Sequence, residues 1–218
     1  MKRVQAPQGG KKAAKQDVGD AEERTPSKPE HEQIATVESG HPRCITIAGP
    51  IMSETVEQIA DHLALLNAES DEPIVVQITS AGGSIIAGWA LHDLFLTNSA
   101  PVVTVGFGYV GSAAAVAFQS GVARLISPNT KFMIHEVSLS LGEDASLDEK
   151  RIRKELGEMV GLQRNIERMF AKRTGQPIAR IRAWCKAETE FTAREAVKHG
   201  FADKVLRGRR LPKPAKRR

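Results

Sequence analysis

Aromatic residues are scarce in this sequence, with two Trp, one Tyr and seven Phe among 218 residues, or 5% of the chain. That is too few to supply the stacking platforms on which single-stranded nucleic acids bind. Cysteine is scarcer still. Cys44 and Cys185 lie far apart and in no ligand-like spacing, which reads as two packing thiols in a reducing compartment. No His, Cys and carboxylate cluster has metal-ligand spacing, so neither a metal nor a cofactor is expected. No apolar run approaches the ~18 residues of a membrane span, and no apolar signal core follows the N-terminal charges. The expectation is a soluble cytoplasmic protein without membrane contact.

The net charge of +5 suggests nucleic acid at first sight, but its distribution argues otherwise. Of the 31 Lys and Arg, seven fall in the last twelve residues, RGRRLPKPAKRR; the remaining 24 are outnumbered by 26 acids. The basicity belongs to a tail, and such a tail reads as a solvated extension, with no specific nucleic-acid partner. Residues 1–40 are rich in Lys, Gln, Gly, Pro, Asp and Glu and nearly free of large apolar side chains. They cannot offset their ordering entropy by burial, so a disordered arm is expected. One folded domain over 41–206 and a basic tail over 207–218 complete the division, consistent with 41% hydrophobic residues in a chain of this length.

Inside the folded window, strand and helix patterns alternate. Cys44 to Ala48 reads as a strand. Ser53 can cap a helix whose Val56, Ile59, Leu63 and Leu66 recur at helical spacing. A buried strand runs from Ile74 to Thr79, Ala81-Gly82-Gly83 breaks it, and a helix follows over Ser84 to Leu96. Val102 to Phe107 is a third strand, Ser112 to Gln119 a small-sided core helix, and Ala123 to Ile126 and Lys131 to His135 two more strands. A long helix is expected from Ser146 to about Arg173, with a Ser146–Glu149 capping box and Gly175 just past its end. Its apolar stripe, from Ile152 through Leu156 and Val160 to Phe170, suits an arm packed on a second copy of the chain. A last helix starts at the capping box of Thr192 and Glu195. This alternation implies an α/β fold with a largely parallel sheet.

Two regions could carry chemistry. Gly82-Gly83 ends a buried strand and lacks both the Lys-Ser/Thr pair of a P-loop and the G-x-G-x-x-G of a dinucleotide fold. What remains is bare backbone ahead of a helix, suited to an oxyanion or to a peptide passing close by. Read alone, it is equally a tight turn. Ser112 stands where a strand pattern gives way to an Ala-rich helix pattern, and His135 ends another apolar run 23 residues later. A hydroxyl on a tight turn among small residues, with an imidazole in reach, is what nucleophilic acyl chemistry needs. The remaining histidines, 31, 41, 62, 92 and 199, read as surface or packing residues.

At this point the blocks ITSAGGSIIAGWALHD, GFGYVGSAAAVAFQSG, SPNTKFMIHE and FTAREAVKHGFAD, in that order, are together specific. The chain from about Cys44 to Leu206 resembles the ClpP family, the proteolytic subunits of ATP-dependent Clp serine proteases. The resemblance implies a ClpP/crotonase-like α/β fold with a long protruding handle helix. It implies Ser112 as nucleophile, His135 as general base, and an oxyanion hole from the backbone N–H groups of Gly83 and Ala113. A polypeptide substrate would lie as an added strand between Gly82-Gly83 and the segment after His135. The family assembles as stacked heptameric rings with interlocking handles, and works with an ATP-dependent unfoldase ring.

Two departures from the family pattern stand out. The family's His-Gln-Pro is His135-Glu136-Val137 here. The family's orienting Asp falls in the stretch Glu188-Thr189-Glu190; Glu188 is the expected third member of the triad, with Thr189 and Glu190 as alternates. With no Asp in this stretch, the second reading is a catalytically weak regulatory or scaffolding subunit. A crotonase-type enzyme acting on acyl-CoA thioesters is a third reading, because that fold shares the backbone oxyanion hole.

Overall fold

The computed structural model describes residues 43–138 and 148–207. The expected N-terminal arm and most of the basic tail lie outside the described residues. Three parallel strands begin the sheet, from its edge inward: β1 (Cys44–Ala48), β2 (Ile74–Ser80) and β3 (Val102–Gly111). Ile74, Val76, Ile78, Val103 and Val105 are fully buried, and they divide between two core clusters, one on each face of the sheet, as near-continuous β-branched runs demand when both faces are covered. Between these strands lie α1 (Ser53–Glu69) and α2 (Ile85–Thr97). After β3 come α3 (Ala113–Phe118), β4 (Ala123–Ile126) and β5 (Lys131–Ile134). The chain then forms α4 (Glu149–Thr174), α5 (Ile178–Lys186), β6 (Thr189–Thr192), α6 (Ala193–Lys198) and β7 (Lys204–Val205). The sheet order is β1-β2-β3-β4-β7, and β5 leaves this path, pairing in parallel with β3 and antiparallel with β6.

β3 is the element that positions the site. The sequence pattern ends it at Phe107, yet it continues to Gly111. Its first half pairs with β4 and its last three residues with β5, and its register against β2 shifts between Ile78 and Ser80. Gly108, with φ of 61°, lies within the shift. Glycines that look like a strand end therefore make a bulge that redirects the strand. α3 follows at once, and all six of its residues are buried. It lies so close to α2 that a Cβ on Gly88 would come within 2.8 Å of the Ala113 carbonyl oxygen. Alanines on one helix and a glycine on the other permit that approach.

Element ends differ from the pattern reading where the caps do. Met52 is the N-cap residue of α1 and Ser53 its first helical residue; the Met52 N–H donates to Thr55 Oγ1 at 3.1 Å. Asp148 caps α4, its Oδ1 accepting from the Arg151 N–H at 2.8 Å. The capping box expected from Ser146 rests on a residue outside the described ones. Gly175, left-handed at φ 70°, ends α4 as expected. The Thr192–Glu195 capping box is present in full.

α4 has 26 residues, about 39 Å of helix. Only its second half is held by the core, through Ile166, Glu167 and Phe170. In the first half Ile152, Leu156 and Val160 remain 41–46% exposed. No helix of the described residues is long and apolar enough to cross a membrane.

Candidate active site

Ser112 stands at the junction of β3 and α3 with φ 54° and ψ −123°, a conformation that a residue with a Cβ rarely adopts. Such strain costs of order 1–3 kcal/mol and persists only where its surroundings hold it. Here the Ser112 N–H donates to the Met133 carbonyl on β5 at 3.1 Å, and its own carbonyl accepts from Ala115 and Val116 at the start of α3. Its hydroxyl makes no helix-cap hydrogen bond, and the residue lines the cleft. His135 follows β5 directly. Its Nε2 lies 2.7 Å from Ser112 Oγ, a full hydrogen bond. The two residues are 23 positions apart in sequence, and the parallel pairing of β3 with β5 brings them together.

Gly82 and Gly83 have φ of 107° and 149°. A Cβ on Gly82 would sit 2.7 Å from the Ser112 Cβ, and one on Gly83 would strike the Ile51 carbonyl oxygen. The Gly82 N–H is satisfied by Ser80 Oγ at 3.0 Å, and the Gly82 carbonyl by the Ile51 N–H at 2.9 Å. The Ser84 N–H donates to the Ile51 carbonyl at 2.8 Å, so Ile51 bridges both sides of Gly83. Among the described residues, the N–H groups of Gly83 and of Ala113, the first residue of α3, donate no hydrogen bond. Both flank Ser112.

A cleft of about 440 Å³ opens over this pair. Met52, Ile85, Val116, Ile134, Ile166 and Phe170 give it an apolar wall, and Gly83, Glu136 and Ser138 line its rim. It therefore has room for an apolar side chain beside a hydroxyl and an imidazole.

The stretch after α5 carries the expected third residue. β6 pairs with β5 so that Ile134 faces Thr189 and Met133 faces Glu190. Glu188 immediately precedes this paired stretch, and His135 immediately follows it. Glu188 is exposed and left-handed at φ 48°, its N–H donating to the Cys185 carbonyl at 3.1 Å. Its carboxylate makes no hydrogen bond among the described residues. The alternates are engaged elsewhere. Thr189 Oγ1 donates to the Trp184 carbonyl at 2.9 Å, and Glu190 accepts from the Tyr109 hydroxyl at 3.0 Å, with Lys131 at 3.9 Å. Burial, followed by the Glu190 contact, pushes the Tyr109 hydroxyl up to about 12.

α5, β6 and the β3 extension are absent from the pattern reading. α5 had a signal, a Pro177 start with Ile178, Ile181 and Cys185 at helical spacing. β6 had almost none, because its TEFT has a single apolar residue and becomes a strand by pairing with β5. No group of three or more His, Cys, Asp or Glu among the described residues is arranged to hold a metal ion.

Known proteins resemble this chain in sequence and fold. The Clp protease family model matches residues 31–209. The ATP-dependent Clp protease proteolytic subunit of Paracoccus denitrificans is 33% identical over 166 residues, covering 75% of this chain and 81% of that protein. The subunit of the same name from Pleurastrum terricola is also 33% identical, over 75% of this chain and 83% of its own length. The solved structure of a ClpP1 mutant from Listeria monocytogenes superposes with a TM-score of 0.69 at 28% identity, over 77% of this chain and 92% of that one. The strained serine beside its histidine thus sits in a fold, and in a run of sequence, that these proteins have in common, and the chain belongs to the Clp protease family.

Proposed function

We propose that this chain is a serine endopeptidase that cleaves polypeptides through an acyl-enzyme on Ser112. The observation that carries the reading is the 2.7 Å contact between Ser112 Oγ and His135 Nε2, made by a serine held at positive φ beside an apolar cleft. With the imidazole proton on Nδ1, the Ser112 hydroxyl donates to Nε2. As Oγ attacks the scissile carbonyl, that proton passes to Nε2 and the carbonyl oxygen takes the negative charge. The unengaged N–H groups of Gly83 and Ala113 are the donors for this oxyanion, fixed in advance by the Ile51 bridge and the start of α3. The imidazolium then gives its proton to the departing amine, and water attacks the ester with His135 again as base. Glu188 is the orienting carboxylate in this reading.

The substrate runs as an extended strand between Gly82-Gly83 and the segment after His135, its apolar side chain in the cleft. The exposed stripe of Ile152, Leu156 and Val160 is the surface on which copies of the chain assemble into a ring-based homo-oligomer, to which an ATP-dependent unfoldase ring delivers substrate. Hydrolysis of fluorogenic peptides by the purified oligomer tests the reading. Peptides with a large apolar residue before the cleaved bond should turn over faster than those with a charge there. No hydrolysis of either kind, under conditions that keep the oligomer intact, argues against it.

A second reading, a slow subunit that scaffolds an assembly, is favoured by one observation: the Glu188 carboxylate makes no hydrogen bond among the described residues. Without an orienting carboxylate the rate falls by about 10⁴.

A further inference from the structure

The segment that follows His135 belongs to neither a strand nor a helix, yet it forms one side of the cleft. Something must hold it straight. Its Val137 N–H donates to Gln163 Oε1, on α4, at 2.9 Å. The same amide of Gln163 donates through Nε2 to Glu167 Oε1 at 3.1 Å. Glu167 is 3% exposed, and Arg182 on α5 closes the chain with Nε and Nη2 donating to Glu167 Oε2 at 3.1 and 2.8 Å. Burial alone would raise the Glu167 carboxyl. The hydrogen bonds from Arg182 and Gln163, together with the charges of Arg182 and Arg164, hold it below its ordinary value instead.

A buried carboxylate is costly unless its partners are complete. It also defines how the neighbouring amide is oriented: with Nε2 committed to Glu167, Oε1 of Gln163 can point only at Val137. In an extended segment, N–H groups alternate in direction. The Val137 N–H is turned toward α4, and its neighbours Glu136 and Ser138 line the cleft together with Val137.

We infer that Gln163, set by Glu167 and Arg182, is a positioning residue that presents the Glu136–Ser138 backbone as an edge for the substrate strand. The network touches neither Ser112 nor the reacting atoms. It determines how well a peptide binds, while the reactivity of the serine is set elsewhere. This rests on the peptidase reading above.

The test uses the full-length oligomer with Gln163→Met, which keeps side-chain length but loses both hydrogen bonds, and Arg182→Met, which removes an exposed outer partner. For Gln163→Met, KM for an extended peptide should rise about tenfold, the scale of one lost hydrogen bond at a partly buried group. Its kcat, and the rate at which a small fluorophosphonate labels Ser112, should stay within about twofold. Arg182→Met should shift KM in the same direction by a smaller factor. Amide exchange of a peptide spanning Glu136 to Ser138 should speed up in both variants and not in Ser112→Ala. An unchanged KM and unchanged exchange, even with lowered thermal stability, would show that the network only ties α4 to α5 and would overturn the inference. A parallel loss of labelling and KM would also overturn it, because the network would then act on His135. A wild-type protein that fluorophosphonate does not label refutes the peptidase reading and takes this inference with it.

Discussion

Ser112 and Glu188 are the two non-glycine residues with positive φ among the described residues, at 54° and 48°. Ser112, at the end of β3, hydrogen-bonds His135, and Glu188 lies one step before β6. Backbone strain of this kind is retained where the fold over-determines it, often at reacting centres. The relationship separates Glu188 from Glu190, whose carboxylate is already taken by Tyr109.

The first prediction follows from that separation. Glu188→Gln should lower kcat on a peptide substrate by about 10³–10⁴, as loss of the carboxylate that orients the base does. Glu190→Gln should change it by less than about threefold, because that carboxylate braces the β3–β5–β6 corner at an exposed site. Steady-state kinetics on both variants decides between them. Equal losses would remove Glu188 from the orienting role.

Gly82 offers a steric test. Its added Cβ would meet the Ser112 Cβ at 2.7 Å, the Gly111 carbonyl at 2.9 Å and the Ala113 nitrogen at 3.0 Å, and φ of 107° is itself strained for alanine. Gly82→Ala should therefore displace the nucleophile and one oxyanion donor together. Peptide turnover should fall by at least about 10², the scale of an ångström of misplacement. The measurement is kcat/KM beside a thermal melt; activity within tenfold of wild type would contradict this geometry.

Most of this corner was legible before the fold was known, for a physical reason. Ser112, His135, Gly82 and Gly83 sit in local patterns, small residues at a strand end or an imidazole after an apolar run, and the local pattern is also what the backbone obeys. The α/β alternation was legible in the same way, because buried parallel strands need continuous apolar runs. What could not be read depends on pairing at a distance. The extension of β3 past Phe107 depends on its pairing with β5 and, at Val110, with β2, and β6 exists only through β5. The departure at Val137 was visible as a residue, but the acceptor for its N–H lies 26 positions away on α4.

The alkaline limb of stability gives a further prediction. Burial, then the charge of Glu167, pushes the Cys185 thiol up to about 12, and the Tyr109 hydroxyl is raised to about 12 as well. Both groups hold their protons more tightly in the folded chain than in the unfolded one. Their contribution is therefore whole below pH ~9, where the unfolded thiol begins to ionise, and is lost as pH rises toward ~12. The melting temperature should fall steadily over that window. At pH 8 a thiol reagent should leave Cys185 unmodified in the native protein and react with it after unfolding. Rapid native modification of Cys185 would contradict its burial.

The most direct measurement is covalent. Incubation with a fluorophosphonate, followed by mass spectrometry of the peptide that contains residue 112, should find the adduct on Ser112 in the wild-type oligomer. Labelling should be absent in Ser112→Ala and slowed at least about a hundredfold in His135→Ala, since the base is then missing. An adduct on some other residue, or equal labelling with and without His135, would contradict the assignment of this serine as an activated nucleophile.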